Sequence, residues 1–269
     1  MRTNARVLLA TMVALVVALP RAATARTDLP DGTGGDHPLT RSFVLYGRID
    51  AFVTGLAHNS LPNPYGTFTV SGLPQGASVK KALLYLTDWR LAGPVSGTFG
   101  SGSFGPAGPI SADPSGDLTP VTYRFDVTTF VTGNGDYPFT SQGIAQSYGS
   151  ALVVVYGNSG LSVKTIEIND GVESMCCDVS SLTRLFPGGP GGAAGRLIIF
   201  TTADNASESG EKIGVNGVVV GGPIDANLGP YASLFDIPVH YQERHNAAVI
   251  YTPADYFAWH LAVQVVGHP

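Results

Sequence analysis

Three segments, DVTTF (126–130), LVVVY (152–156) and IEINDG (166–171), recur later in the chain as DVSSL (178–182), LIIF (197–200) and IGVNG (213–217). The two sets follow the same order at similar spacing, which indicates a duplicated supersecondary unit. Their apolar runs have strand length and end near residues that favour turns. We therefore predict an internal duplication of a strand-turn-hairpin unit, with copies at about 121–175 and 176–221.

The rest of the chain has the same β character. Runs rich in β-branched and aromatic residues occupy 42–46, 67–71, 79–87, 121–125, 151–156, 163–168, 196–202, 213–220 and 258–266. Most of them stop at Gly, Pro, Asn or Asp, and no long amphipathic helix interrupts them. The sequence predicts an all-β, antiparallel β-sandwich of jelly-roll-like type over residues 41–269. It leaves open one large sandwich or two small packed ones.

Turn chemistry supports this prediction locally. Asn216-Gly217 lies between two apolar runs and predicts a type I′ hairpin. Asp170-Gly171 is interpreted as the equivalent turn of the first copy. Asp126 and Asp178 are predicted to cap short turns by accepting a backbone N–H two or three residues further on.

Two stretches rich in Gly and Pro interrupt the strand pattern, at 91–116 and at 187–195. Surface loops commonly have this composition and also commonly carry binding residues. We interpret both stretches as mobile surface loops, with the rim of a ligand site as the alternative.

The N-terminus has the pattern of a secretory signal peptide. Arg2 and Arg6 precede an apolar stretch at 7–19, and a small-residue site ends at Ala25. The apolar stretch is too short to span a bilayer. We expect a signal peptide at 1–25 with cleavage after Ala25, a flexible segment at 26–40, and a secreted, extracellular product with no membrane span.

The charge balance excludes one class of partner. The chain has 15 Lys and Arg against 20 Asp and Glu, a formal net charge of −5, which becomes −8 when Arg2, Arg6 and Arg21 leave with the leader. Nucleic-acid binding requires a basic face that neutralises phosphates. We expect no nucleic-acid partner.

Four segments carry a resemblance to a known family: VKKALLYL (79–86), RFDVT (124–128), GNGDY (133–137) and GSALVVVY (149–156). From about Tyr65 to its C-terminus the chain resembles a domain of unknown function found in secreted and surface-exposed bacterial proteins. The resemblance implies an extracellular β-sandwich of the kind that often accompanies adhesion-like modules. It implies no catalytic residues.

Cys176 and Cys177 are the only cysteines of the chain, and they are adjacent. Their Cα atoms must lie about 3.8 Å apart across a trans peptide, below the usual separation in a disulfide. A vicinal disulfide in an oxidising compartment is the prediction. Intermolecular cross-linking and a reduced redox or metal pair are the alternatives.

Histidines and acids offer weak catalytic candidates. His240 and His245 form the one histidine cluster, but their spacing would place them on opposite faces of a strand, which favours ordinary surface or structural roles over a metal site. Glu167, Asp170 and Glu173 resemble the paired carboxylates of sandwich-fold glycosidases. The Asn at the second-copy position equivalent to Asp170 could not act as an acid, so turn chemistry is preferred and the catalytic residues stay unknown.

Calcium is the one cofactor that the loops suggest. The candidate ligands are Asn134, Asp136, Asp204, Glu208 and Glu211. Oxygen ligands in loops between strands suit Ca²⁺, but neither segment has the regular spacing of a calcium loop. Solvated loops without an ion are the other interpretation.

These patterns favour a secreted, non-enzymatic protein that acts in cell-surface or matrix attachment or in glycan binding, with an extracellular glycan or surface protein as partner. Several aromatic residues could stack on sugar rings if exposed, although such residues are more often core: Trp89, Tyr148, Tyr241, Tyr251, Tyr256 and Trp259. For Trp259, inside an apolar run, core packing is expected. The alternative function is an extracellular, glycosidase-like hydrolase whose acids come from distant loops.

Overall fold

The computed structural model describes residues 39–90, 93–113, 119–175, 181–187, 192–203, 211–222, 227–251 and 256–268. Most of these residues lie in β-strands, and the helical content of these ranges is a single 3-10 turn at Thr128–Phe130. The all-β prediction is confirmed. The strands are β1 (Thr40–Leu61), β2 (Tyr65–Val70), β3 (Ser78–Asp88), β4 (Val95–Phe99), β5 (Gly102–Ala107), β6 (Ser111–Ala112), β7 (Val121–Asp126), β8 (Gly135–Gln142), β9 (Ser147–Gly157), β10 (Val163–Met175), β11 (Ser181–Pro187), β12 (Ala193–Thr202), β13 (Lys212–Val215), β14 (Val218–Gly221), β15 (Ala232–Tyr241), β16 (His245–Tyr251) and β17 (Phe257–Gly267).

The strands form three antiparallel sheets. The largest has nine strands in the order β15-β12-β17-β10-β1-β9-β3-β7-β6. Two four-stranded sheets have the orders β11-β16-β13-β14 and β2-β8-β4-β5. Each small sheet packs on one half of the large sheet, so the predicted antiparallel sandwich is present as two sandwich units that share one long sheet.

Strand β1 joins the two halves of the large sheet. Its N-terminal part pairs with β10 as far as Arg48, and from Ile49 onward it pairs with β9 instead. The halves on either side of this transition face each other. For example, Tyr85 on β3 donates a hydrogen bond to Asp170 on β10, and a Cβ added to Gly149 on β9 would lie 3.0 Å from the ring of Phe200 on β12.

Three apolar layers follow from this arrangement. One lies beneath the β2-β8-β4-β5 sheet, one beneath the β11-β16-β13-β14 sheet, and one between the two halves of the large sheet. Fully buried side chains of these layers include Phe68, Phe99 and Phe139 in the first, Leu182, Ile213 and Trp259 in the second, and Val153, Ile166 and Phe200 in the third. Strands of the large sheet are buried on both faces, which explains their continuous apolar sequences.

The predicted hairpin at Asn216-Gly217 is confirmed. Asn216 has φ 52° and Gly217 has φ 81°, and they connect β13 to β14. Both angles are left-handed, as a type I′ turn requires. The Asn216 side chain also accepts a hydrogen bond from the backbone N–H of Ala247, which fixes the turn to β16.

The interpretation of Asp170-Gly171 as a turn is wrong. Both residues lie inside β10, which keeps pairing with β17 through Asp170↔Leu261 and Glu173↔Trp259. The register shifts between these two pairs, so the Asp-Gly sequence marks a β-bulge. As a result, both apolar segments of the first copy lie in the nine-stranded sheet, whereas the second copy is divided between the large sheet and a small one.

The cap at Asp126 is confirmed. Its Oδ1 accepts the backbone N–H of Thr128 at 3.0 Å, and the same threonine hydroxyl also donates to it. Phe130, at the end of the short helical turn, packs against the first apolar layer. Asp178 lies outside the described residues.

The interpretation of 91–116 as a mobile surface loop is wrong. This stretch contains β4, β5 and β6, and Phe99 and Phe104 are buried in the first apolar layer. Of the second stretch, residues 193–195 belong to β12. At the N-terminus, Leu39 is already buried in the second apolar layer and β1 begins at Thr40.

Candidate functional site

A groove lies where β1, β6, β7 and β10 meet. It encloses about 860 Å³, and its walls include Thr40, Arg41, Ser42, Pro109, Ile110, Ser111, Ala112, Arg124, Asp170 and Gly171. A neighbouring depression of about 300 Å³ shares Ser42 and Arg124 with it and adds Lys81 and Asp126. Because the two share a wall, we treat them as one elongated site, the interlayer groove.

Asp170 organises the floor of the interlayer groove. Its side chain is 2% exposed, and its Oδ2 accepts hydrogen bonds from Ser42 Oγ at 2.6 Å and Tyr85 Oη at 2.7 Å. Arg124 Nη1 donates to both carboxylate oxygens, at 3.0 and 2.8 Å. Three other strands therefore each supply a donor to one buried carboxylate, which satisfies the charge that burial would otherwise penalise.

The protonation states in this cluster are fixed by the same contacts. Burial and then the charge of Asp170 raise the pKa of Tyr85 well above its usual range, so its hydroxyl remains a donor. Burial by itself would lower the pKa of Arg124, but its hydrogen bond to Asp170 raises that pKa overall. The hydroxyl of Tyr85 and the guanidinium of Arg124 therefore both keep their protons and remain donors to Asp170 at neutral pH.

Arg124 is the part of the ion pair that a ligand can reach. Its side chain is 31% exposed, against 2% for Asp170 behind it. The hydrogen bonds to Asp170 use Nη1 of this guanidinium. Arg124 lines both parts of the groove, where its charge faces a bound molecule.

The three acids that resemble a glycosidase pair each have a basic partner. Asp170 binds Arg124, Glu173 forms a buried ion pair with Arg184 of β11, and Glu167 lies 3.7 Å from Arg41. Each of these carboxylates is thus held by a guanidinium from another strand.

His260 belongs to a buried polar chain between the halves of the large sheet. Its Nδ1 and Nε2 lie 2.7 Å from the hydroxyls of Thr122 and Thr202, respectively. Trp89 Nε1 can only donate to Thr202, and Gly171 O can only accept from Thr122. Because Trp89 donates at one end and Gly171 accepts at the other, every hydrogen bond in this series must point the same way. Thr202 therefore donates to Nε2, and the neutral imidazole carries its proton on Nδ1 and donates to Thr122. Burial lowers the pKa of His260 to about 3, consistent with a structural histidine.

The structure describes three of the five calcium candidates, Asn134, Asp136 and Glu211. Asn134 bonds to both backbone groups of Leu73, and Asp136 accepts from Thr69 at 2.7 Å. Glu211 is buried. Asp204 and Glu208 lie outside the described residues, and no group of three or more His, Cys, Asp or Glu side chains within the described ranges could hold a metal ion.

The remaining candidates divide between the surface, the core and the segments not described. Cys176 and Cys177 lie outside the described residues. His240 and His245 are exposed at the ends of the strands that flank a turn. Of the aromatic candidates, Trp89, Tyr241 and Trp259 are buried, Tyr148 and Tyr256 are half-buried around Trp89, and Tyr251 is exposed. The core position expected for Trp259 is confirmed.

Sequence reasoning missed Arg124, Ser42 and Tyr85. A signal existed for Arg124, because it is a charged residue in an otherwise apolar run whose neighbours Tyr123 and Phe125 are buried. Asp170 carried the same signal but was assigned to a turn. A charge within a buried strand requires a partner, and the partner of this arginine lies 46 residues away.

No helix in the described ranges is long and apolar enough to cross a membrane. No protein-family model matches the chain, and no curated protein matches it. Among solved structures, the chain has a TM-score of 0.21 and 8% identity to a chain from the "crystal structure of PBCV-1 VP54 fitted into a cryo-EM reconstruction of the virophage Sputnik". The match covers 84% of this chain and 95% of that one. A similarity of this size carries no argument about fold or function.

Proposed function

We propose that the protein is a secreted, non-enzymatic β-sandwich protein that binds an extracellular glycan in the interlayer groove and so acts in cell-surface or matrix attachment. The observation that carries the proposal is the groove itself: Arg124, fixed from behind by Asp170, faces a cavity whose walls include several hydroxyl groups. Binding sites for small polar ligands usually combine an apolar wall with a few fixed polar groups.

The groove suits a saccharide in composition. Thr40, Ser42 and Ser111 contribute hydroxyl groups, and Ile110 contributes an exposed apolar surface beside Pro109. Sugar rings offer hydroxyls on their edges and C–H groups on their faces, so they can use both kinds of wall. Thr40 and Ser42 lie on β1 and Ser111 lies on β6, so paired strands hold these hydroxyl groups in place.

Binding without turnover is the better supported mode. Asp170 is committed to Arg124, Ser42 and Tyr85, and no unpaired carboxylate among the described residues lines the larger cavity. The hydrolase alternative requires two carboxyl groups about 5 to 9.5 Å apart that can act as acid and base.

Secretion is part of the proposal and is supported by the signal-peptide pattern of residues 1–25. N-terminal sequencing of protein recovered from the culture medium tests it. A sequence that begins at Arg26 is expected, and an unprocessed product retained in the cytoplasm would contradict secretion.

A glycan array combined with a reducing-sugar release assay tests the function. We expect retention on one class of glycan with no release of sugar, and loss of retention in Ser111→Tyr, which fills the groove. Ser103→Tyr, an exposed position on β5 outside the groove walls, is the matched control. Sugar release that Ser111→Tyr abolishes would establish the hydrolase instead, and no retention on any glycan would refute the proposal.

A further inference from the structure

The charges that a ligand meets in the larger cavity of the interlayer groove are mainly positive. Arg41 is 56% exposed and Arg124 is 31% exposed, whereas their acidic partners Glu167 and Asp170 are 8% and 2% exposed. The chain as a whole is acidic, with a net charge of −5. A locally cationic groove favours an anionic ligand.

The free edge of Arg124 has the geometry for a carboxylate. Asp170 occupies Nη1, the guanidinium nitrogen on the same side as Cδ. The remaining Nε–H and Nη2–H groups are parallel and lie on one edge, and such a pair binds both oxygens of a planar carboxylate at once. The ion pair with Asp170 holds this edge in place.

We infer that the interlayer groove recognises the carboxylate groups of a uronic-acid polysaccharide, an inference that rests on the proposed glycan binding. One carboxylate binds the free edge of Arg124, and Arg41 lies beside it at the same cavity. In the adjoining depression, Lys81 is 29% exposed and its ion-pair partner Asp126 is 55% exposed, so the positive charge of the groove is that of Arg41 and Arg124 in the larger cavity. The hydroxyls of Thr40 and Ser111 are then positioned for ring hydroxyls of the sugar.

A set of matched polymers tests this inference. The full-length chain is assayed by affinity electrophoresis and calorimetry against polygalacturonate, alginate and hyaluronate, each compared with its methyl ester, and against dextran sulfate. Esterification keeps the sugar but removes the negative charge. We expect binding to at least one uronate, weakened roughly tenfold to a hundredfold by esterification, because a hydrogen bond to a charged group contributes about 1.5–3 kcal/mol.

Three variants locate the effect. Arg124→Lys keeps the positive charge but removes the two-pronged edge, so we expect a loss of uronate binding comparable to that of esterification. Arg41→Ala, at an exposed side chain, should weaken binding without affecting the fold. Arg244→Ala removes the same charge at an exposed position in the turn between β15 and β16 and should leave binding unchanged. Melting curves of all variants establish that each is folded.

The outcomes separate this inference from the proposed function. Equal binding to a uronate and its ester, with loss in Ser111→Tyr, would overturn carboxylate recognition and leave glycan binding standing. Binding to dextran sulfate that matches or exceeds binding to every uronate and is unaffected by Arg124→Lys would overturn the inference in favour of general polyanion attraction. No binding to any uronate or ester would also overturn it, and with an empty glycan array both proposals would fail.

Discussion

Acidification should destabilise this fold through two buried histidines, His58 and His260. Burial lowers the pKa of His58 from 6.5 to about 4 and that of His260 from 6.5 to about 3. His58 is 5% exposed beside Ser150, and His260 is fully buried. Neither ring has a carboxylate partner among the described residues, so desolvation of the imidazolium is the dominant cause.

The direction in which stability changes with pH follows from proton binding. In the unfolded chain both rings take up a proton near pH 6.5, whereas in the folded chain they stay neutral to about pH 4 and 3. The unfolded state therefore binds more protons within this window, and stability falls as the pH falls. With one pKa unit equivalent to 1.36 kcal/mol, each histidine should cost about 2 kcal/mol between pH 7 and pH 5. The two together should cost about 4 kcal/mol, a large part of a typical stability of about 5–15 kcal/mol.

Urea unfolding at pH 7, 6 and 5 measures this effect, with the fluorescence of the buried Trp89 and Trp259 as the signal. His58→Gln should lower the loss of unfolding free energy over this range by about half, or about 2 kcal/mol. His240→Gln, at an exposed position, is the matched control. Since the carboxylates are common to all three proteins, their titration cancels in the comparison. An identical loss in the wild-type protein and in His58→Gln would refute the assignment of His58 as buried and neutral.

Two further perturbations probe the packing. Replacing Arg184 with Met breaks its buried ion pair with Glu173, and we expect a loss of about 3–5 kcal/mol in urea unfolding. Adding Glu173→Gln should make this loss smaller, and a loss below about 1 kcal/mol for the single variant would contradict the expectation. Gly97→Ala places a Cβ 2.0 Å from the carbonyl oxygen of Thr140, so it should lower the unfolding free energy by about 3 kcal/mol. Gly93→Ala, with open space around it, is the control and should change the melting temperature little. Equal melting temperatures of the two variants would contradict the close approach of β4 and β8.

Much of the fold follows from local sequence because its strands are apolar and its turns have specific chemistry. Runs such as 151–156 and 196–202 lie in β9 and β12, strands of the large sheet that carry buried apolar side chains on both faces. Asn216-Gly217 could be assigned from two residues, since few other pairs tolerate two left-handed angles in succession.

The strands that local reasoning missed are those in which glycine has a packing role. Residues 95–99 and 102–107 are rich in Gly and Ser, which are not typical strand residues. Their composition is therefore typical of a loop. In the structure, the absence of a Cβ at Gly97 is what allows β4 to approach β8. Phe99 and Phe104, both buried, are the apolar residues that indicate strands in this stretch.

The candidate site could not be found from turn chemistry, because Asp170 is compatible with two local explanations. An exposed Asp before Gly carries no free-energy penalty in a turn. The same Asp inside a strand that is buried on both faces requires hydrogen-bond donors from elsewhere in the fold. The apolar residues that flank it, Ile168 and Val172, are both fully buried, which favours the second explanation. Once Asp170 is placed within a buried strand, a basic residue in another buried strand becomes its expected partner, and Arg124 in β7 meets that requirement. Two opposite charges that each interrupt an apolar run are therefore expected to contact each other in the fold. The sequence contains this long-range information, although no local motif indicates it.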